Sequence, residues 1–367
     1  MESILHNDLD HVLQRTEHLW TDARGERFFI TGGTGFVGTW LMESLLWANR
    51  RLGLGVSAVL LTRNPAAYQT RLPHLAEDPC VTLHAGDASS FQYPEGSFPL
   101  VIHAATERHA PPTLHQPAAA FTRDLAATKR VLELARARGT VRFLFTSSGA
   151  VYGEQPAHLL NIPEDYAGAP LPTDTNSAYG QSKRASEFLC TSYARACGFS
   201  ATIARLFAFT GPYLPLDANY AAGNFVRDAL AGGPVRLTGD GGAYRSYLYA
   251  ADLAIWLWTI LFRGQSGAAY NVGSPHSVSI AELARRVVKI AGGEIGIHVD
   301  PSAQPASLRA RYVPAVQRAE SELGLRVWVP LERGLRRMWQ WNHGPQPALP
   351  AGTQTAEIEP VEAVTVG

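Results

Sequence analysis

The stretch Phe28-Phe29-Ile30-Thr31-Gly32-Gly33-Thr34-Gly35-Phe36-Val37-Gly38 decides the fold. A short apolar run ends in glycines at 32, 35 and 38, spaced Gly-x-x-Gly-x-x-Gly, and a helical pattern follows. A sharp turn out of a strand needs a residue without a Cβ, and so does backbone that must approach a pyrophosphate closely. The helix after the turn offers free N–H groups and a positive dipole end to phosphate oxygens. Glycine spacing alone is a weak signal. A strand before it and a helix after it make this a dinucleotide-binding turn, with Gly32, Gly35, Phe36, Val37 and Gly38 expected at the cofactor.

Outward from that turn, short apolar runs alternate with helical patterns. The runs are Phe28–Thr31, Ser57–Thr62, Val81–Ala85, Leu100–Ala104, Arg142–Thr146 and Ala201–Arg205, and the longer helical patterns cover Thr39–Asn49, Ala118–Arg138 and Ser177–Ala196. This alternation predicts an α/β chain with a Rossmann-type, doubly wound parallel sheet. A smaller C-terminal α/β substrate-binding lobe is expected beyond it. We expect a helical extension over 1–26 with an amphipathic helix over 9–20. The dinucleotide-binding part covers 27–205, with 246–272 returning to it. The lobe takes 206–245 and 273–342, with a helix marked by Ile280, Leu283, Val287 and Ile290. The tail over 343–367 has four prolines, no aromatic residue from Pro345 onward and little periodicity, and is expected to be disordered. The apolar stretch Leu253–Phe262 is too short to span a bilayer and reads as a buried helix.

Composition excludes several classes. The 367 residues carry 32 Lys plus Arg against 32 Asp plus Glu, so no basic field recruits nucleic acid. Cys80, Cys190 and Cys197 show no Cys-x-x-Cys spacing, which fits a reduced, cytoplasmic protein. The N-terminus has no basic start followed by an apolar core, so neither a signal peptide nor a membrane partner is expected. No metal site is assigned.

Cofactor choice should be written at the end of the second strand. Leu61-Thr62-Arg63-Asn64 has no carboxylate for ribose hydroxyls. Arg63 can pair with a 2′-phosphate, which leans toward NADP, or lie over the adenine, which admits NAD. Asp87 in Ala85-Gly86-Asp87 is placed for the adenine amine, its plainer reading being a turn cap.

Tyr179 and Lys183 lie four apart, hence on one helix face. A neighbouring ammonium and a cationic nicotinamide both favour a phenol's ionised form and lower its pKa from about 10. Such a tyrosine can take a proton from a sugar hydroxyl while hydride leaves the same carbon. Ser148, in Ser147-Ser148-Gly149-Ala150-Val151-Tyr152-Gly153 at a strand end, can orient that hydroxyl.

These motifs in this order, with His103-Ala104-Ala105, resemble the extended short-chain dehydrogenases called NAD-dependent epimerase/dehydratases. Gly239-Asp240-Gly241-Gly242-Ala243-Tyr244-Arg245-Ser246-Tyr247 and Arg311-Tyr312-Val313-Pro314 resemble that family's later segments, so the likeness spans roughly 27–340. The resemblance implies Ser148, Tyr179 and Lys183 as the catalytic set. It implies Gly32, Gly35, Phe36, Val37, Gly38, Arg63, Asp87, Ala104, Ala105, Tyr179 and Lys183 at the cofactor. Thr106, Ser148, Asn224, Arg245 and Arg311 fall on contacts to a nucleoside-diphosphate sugar. Arg245 suits a diphosphate because its planar fork makes two charge-assisted bonds. A homodimer through helices at about 118–138 and 177–196 rests on the same analogy.

Departures from the family pattern bear on the reaction. Sugar 4,6-dehydratases carry Asp-Glu directly after the Ser/Thr, and glucuronate decarboxylases keep the Glu. Here those positions are Gly149 and Ala150, which move no proton, unless Glu107 or Glu154 substitutes from another loop. Asp124 and Ala208 stand where an Asn is usual. The expected function is an NAD(P)-dependent nucleotide-sugar epimerase acting by transient oxidation at C4. The alternatives are an NADPH-dependent 4-keto-sugar reductase, then a dehydratase or decarboxylase with relocated carboxylates. A non-catalytic dinucleotide sensor is least favoured, because the Ser/Tyr/Lys set is intact.

Overall fold

A computed structural model describes residues 2–106, 116–218, 220–300 and 310–344. In chain order the strands are β1 Arg27–Thr31, β2 Ser57–Thr62, β3 Val81–Ala85, β4 Leu100–His103, β5 Arg142–Ser148, β6 Ser200–Leu206, β7 Ala208–Thr210, β8 Val235–Leu237, β9 Tyr244–Tyr249, β10 Ala269–Val272, β11 Ser277–Ser279, β12 Ile297–Val299 and β13 Arg311–Tyr312. Seven of them form one sheet in the order β10-β6-β5-β4-β1-β2-β3, with every pairing parallel. Helices cover both faces, which is why Phe28, Phe29 and Ile30 are all buried although they alternate sides. The order reverses between β1 and β4, and that crevice at the strand C-termini is where a Rossmann-type sheet takes its ligand.

The flanking helices run Phe36–Leu52, Pro117–Ala137 and Ala178–Cys197, within a few residues of the periodicity read above. The helix Ala250–Arg263 is buried at every position from Ala250 to Phe262, and its Trp258 packs against Trp20 and Phe28 of β1 while the Trp256 indole donates to the Arg326 carbonyl. Burying side chains of that size stabilises the fold by roughly 2–3 kcal/mol each. Among the described residues no helix is long and apolar enough to cross a membrane.

The rest of the second half makes smaller sheets. β9 pairs in parallel with β7 and β13 and antiparallel with β11, and β12 pairs with β8. Helices Ala221–Leu230, Ile280–Ile290, Gln317–Leu323 and Leu331–His343 accompany them. The helix Leu331–His343 buries only Gly334, Leu335 and Met338, a stripe too narrow to stand out in the sequence. The tail beyond residue 344 lies outside the described residues.

Two boundaries differ from expectation for local reasons. The N-terminal helix runs Glu2–Thr16 and then tightens into a 3₁₀ turn over Glu17–Ala23. There the Thr16 hydroxyl bonds back to the Val12 carbonyl at 2.8 Å and accepts the Trp20 indole N–H at 3.0 Å, which draws the chain out of α geometry. β5 continues past Thr146 because Ser147 and Ser148 still pair with Arg205 and Leu206 of β6. That extension carries Ser148 to the C-terminal edge of the sheet.

Candidate active site

The glycine turn is shaped by what a side chain would strike. Gly32 has φ +70°, and a Cβ there would lie 2.4 Å from the Ala104 carbonyl carbon. A Cβ on Gly38 would lie 2.3 Å from the Gly32 oxygen. The turn, the end of β4 and the first helical turn are therefore in backbone contact, as a pyrophosphate cradle requires. Gly35 caps the helix without a side-chain hydrogen bond, and no acidic residue stands in its first turn. Phe36 and Val37 open that helix behind the cap. The donors at this helix end are met by no side-chain cap, which fits a dinucleotide. Arg71, from the helix Pro65–Arg71, donates to the Thr34 carbonyl in the turn.

Behind the turn, the Ala104 N–H donates to the Thr31 carbonyl at 3.1 Å and the Ala105 N–H to the Thr31 hydroxyl at 3.2 Å. The Thr31 hydroxyl also meets His103 Nδ1 at 2.7 Å. His103 Nε2 meets the Thr128 hydroxyl at 3.2 Å, which meets Ser186 at 2.9 Å. Burial, and then the charge of Lys183, hold the His103 pKa down to about 3, so the ring is neutral. Thr106 is exposed beside the undescribed segment, in which Glu107 lies.

Arg63 follows β2 and faces Asp87. The Asp87 carboxylate takes the Ser89 hydroxyl at 2.5 Å and the Ser89 N–H at 2.9 Å. Those bonds, followed by Arg63 and Arg123, hold its pKa below the ordinary value. The geometry at Asp87 is thus that of a turn cap.

Ser148 ends β5, and Tyr179 and Lys183 stand one turn apart at the start of the helix Ala178–Cys197. Ser148 and Tyr179 share a hydrogen bond. Lys183 is buried, with Nζ 3.0 Å from the Thr146 carbonyl, 4.8 Å from the Phe145 ring centre and 5.8 Å from that of Tyr179. Burial lowers its pKa to about 8, with Asp124 the largest opposing influence. Tyr179 itself is pushed above 10, chiefly by burial. The sequence led us to expect the ammonium and a cationic nicotinamide together to lower this pKa; in the protein's own surroundings desolvation outweighs the ammonium, whose nearest contact is the Thr146 carbonyl. Asp124 faces both residues and accepts the Ser182 hydroxyl at 3.2 Å.

Tyr312 joins this group from β13 without a sequence signal of its own. Its hydroxyl lies 3.3 Å from Ser148 Oγ and 3.3 Å from the Leu206 carbonyl, and its ring centre is 4.5 Å from that of Phe207. A Cβ on Gly149 would fall 2.7 Å from this hydroxyl and 2.6 Å from Phe207 Cζ. Glycine at 149 is what admits the two rings. Tyr312 stood inside a quoted motif, but nothing local links it to a residue 164 positions away.

The other substrate candidates scatter more. Arg245 faces Tyr312, with its guanidinium tied to the Tyr244 and Ala310 carbonyls at 2.8 and 3.2 Å. Asn224 keeps a buried Oδ1 with no hydrogen-bond partner among the described residues. Arg311 neighbours Tyr312 on one strand, where successive side chains alternate. Its guanidinium donates to the Leu160 carbonyl at 3.1 Å and covers the Tyr244 ring. Glu154 is exposed.

A buried network also went unread. Glu187 accepts the Ser147 hydroxyl at 2.5 Å and pairs with Arg205 at 2.7 Å. Arg205 donates to the Tyr152 hydroxyl at 2.8 Å, which donates to Asn271 at 2.7 Å. It braces the strand end that carries Ser148.

Against known proteins, residues 28–273 match the model of the "NAD dependent epimerase/dehydratase family". UDP-glucuronic acid decarboxylase 1 of Arabidopsis thaliana is 28% identical over 312 residues, covering 85% of this chain and 68% of its own. Two solved structures share the fold. The UDP-glucose 4-epimerase of Thermotoga maritima, with UDP-glucose, has a TM-score of 0.72 at 20% identity, over 86% of this chain and 98% of its own. RMD of Pseudomonas aeruginosa, complexed with NADPH, has a TM-score of 0.68 at 24% identity, over 87% and 99%.

Proposed function

Since this chain belongs to the NAD dependent epimerase/dehydratase family and is an enzyme of it, we propose that it converts a nucleoside-diphosphate sugar by epimerisation at sugar C4. A nicotinamide dinucleotide in the Gly32–Gly38 cradle supplies an acceptor for the C4 hydride and a donor for its return. Tyr179 takes the C4 hydroxyl proton as the ketone forms and gives it back as the alcohol re-forms, so its proton count is unchanged over a cycle. Ser148 orients the reacting oxygen. Lys183 keeps positive charge beside the phenol. Asn224 and Arg245 are assigned to the diphosphate and nucleoside, and Ala104, Ala105 and Arg63 to the dinucleotide.

The observation that carries this reading is the hydroxyl pair at the end of β5, with Lys183 buried below it and no carboxyl at 149 or 150. Oxidation at one carbinol needs only that set. Elimination of water needs a further acid and base, and loss of carbon dioxide from a 4-keto uronic acid needs a proton source for C5. The 4-keto-sugar reductase is the second reading. Arg63, with Arg71 against the turn, favours it because two guanidiniums near the ribose end suit a 2′-phosphate. The Pseudomonas structure, complexed with NADPH, supports that reading. We assign a homodimer to the packed helices Pro117–Ala137 and Ala178–Cys197, on which Phe188 is 71% exposed.

The test offers UDP-, dTDP-, CDP- and GDP-sugars to purified protein without added nicotinamide, followed by proton NMR. A C4 epimer supports the proposal. Turnover confined to NADPH plus a 4-keto sugar replaces it with the reductase. Release of water or carbon dioxide overturns the argument from Gly149 and Ala150.

A further inference from the structure

Pro212 and Tyr213 fill the centre of a tight turn, closed by the Leu214 N–H donating to the Gly211 carbonyl at 3.3 Å. Tyr213 has φ +67°, the one positive φ outside glycine among the described residues. A turn with proline in its second place and a positive φ in its third is of type II, which favours Gly or Asn there. A tyrosine in that place crowds its Cβ against the following carbonyl oxygen, so its side chain must be held from outside the turn. Its hydroxyl donates to Glu43 Oε1 at 2.6 Å, and its ring meets Trp341 edge-on at 5.0 Å between centres.

Glu43 lies on the helix Phe36–Leu52 with its side chain 3% exposed. The oxygen that accepts Tyr213 also meets His74 Nε2 at 2.8 Å, from the short helix Pro73–Ala76. His74 is half-exposed, and among the described residues it is the one cationic side chain within ion-pair reach of Glu43. It therefore decides whether the buried carboxylate is balanced. With both ring nitrogens protonated, His74 sets a cation against it; otherwise the carboxylate faces neutral donors alone. The bond to Glu43 holds the His74 pKa above its ordinary 6.5. The pairing is thus complete below pH 6.5 and is lost as pH rises through the higher folded value.

The turn is tied closely to the site. The Trp40 indole, on the same helix as Glu43, donates to the Pro212 carbonyl at 2.9 Å. A Cβ on Gly223 would lie 2.4 Å from the Pro215 carbonyl oxygen, so the helix Ala221–Leu230 rests on backbone two residues past Tyr213 with no slack. Asn224 is the next residue of that helix, and Tyr220 at its head faces Tyr179.

We propose that His74, Glu43 and Tyr213 form a proton-dependent latch, closed at lower pH, that holds the Gly211–Leu214 turn on the helix Phe36–Leu52 and so places the helix carrying Asn224. The other groups facing these three are Arg50 on the helix Phe36–Leu52, itself paired with Asp78 at 3.0 Å, and Tyr68 on the helix Pro65–Arg71, with Arg71 beside it. None of these is altered in the test. The latch is independent of the reaction, but its bearing on the sugar rests on the assignment of Asn224 to the substrate.

Hydrogen exchange on the full-length protein, read by mass spectrometry at about pH 6 and about pH 9, tests the latch, with each rate divided by the intrinsic rate at that pH. The peptide covering 211–218 reports the turn, and the amides of β5 report global opening. In wild type the protection of 211–218 should fall about fivefold between the two pH values while β5 stays protected. His74→Gln keeps a donor but carries no charge, and should show the lower protection at both. Tyr213→Phe keeps the ring, loses the hydroxyl, and should match it. Equal protection of 211–218 at both pH values in wild type overturns the proposal, and so does a fall in His74→Gln as large as that in wild type. A working latch together with an Asn224→Ala protein that binds UDP-, dTDP-, CDP- and GDP-glucose as wild type does overturns the assignment of Asn224 instead, so the two failures are distinct.

Discussion

Both ring nitrogens of His103 are engaged and the ring is sealed between β1 and two helices. Its pKa drops from 6.5 to about 3, with burial the main cause. The unfolded chain takes up this proton near pH 6.5 and the folded one only near pH 3. Between those values the unfolded state binds more protons, so the contribution is full above pH 6.5 and is lost as pH falls toward 3. We expect His103 to account for roughly 3 kcal/mol of stability lost between pH 7 and pH 4. Urea unfolding of wild type and His103→Gln at both pH values checks this, and parallel losses would sink it. At the same scale, Tyr179→Phe should cut turnover of the responding sugar roughly a hundredfold or more while urea unfolding stays close to wild type. Tyr179 and Lys183 were legible because four residues is one helical turn. Tyr312 was not, since its meaning depends on a glycine far along the chain.

The elements that hold the site do so through contacts a residue type cannot advertise. The turn between β1 and the helix Phe36–Leu52 was readable because glycine is its own signal. Its tightness was not, because that depends on Ala104 lying against Gly32. Gly38→Ala puts a methyl where the Gly32 carbonyl sits, so cofactor affinity should fall about tenfold or more, read by NADH fluorescence titration. An unchanged affinity would remove this turn from the cofactor site. The end of β5 is braced by Glu187 rather than by its own sequence. Glu187→Ala leaves Arg205 buried without its anion and frees Ser147. It should cost about 3–5 kcal/mol in chemical denaturation, whereas a loss below ~1 kcal/mol would show that the network carries no load.

Across the whole molecule, the N-terminal helix Glu2–Thr16 is part of the core rather than an appendage. Asp8 is buried where it accepts the Tyr249 hydroxyl at 2.5 Å and pairs with Arg337 of the helix Leu331–His343, tying the start of the chain to a segment more than three hundred residues on. Asp8→Ala strands both partners and should lower stability by roughly 2–4 kcal/mol, with an unchanged melting temperature counting against that tie. The proposed dimer makes its own prediction. Phe188→Asp should halve the mass seen by light scattering, and a wild type that is already monomeric refutes the assignment.

The sequence by itself determined the parallel sheet, the glycine turn after β1 and the placing of Tyr179 and Lys183 one helical turn apart. Each is encoded over short spans, by strand runs, by glycines without side chains, and by one helical turn. Tertiary structure alone decided that burial governs the Tyr179 phenol, that Asp87 caps its own turn, and that Tyr312 fills the room over Gly149. Those depend on desolvation and on contacts between distant segments, and neither quantity exists until the chain has closed on itself.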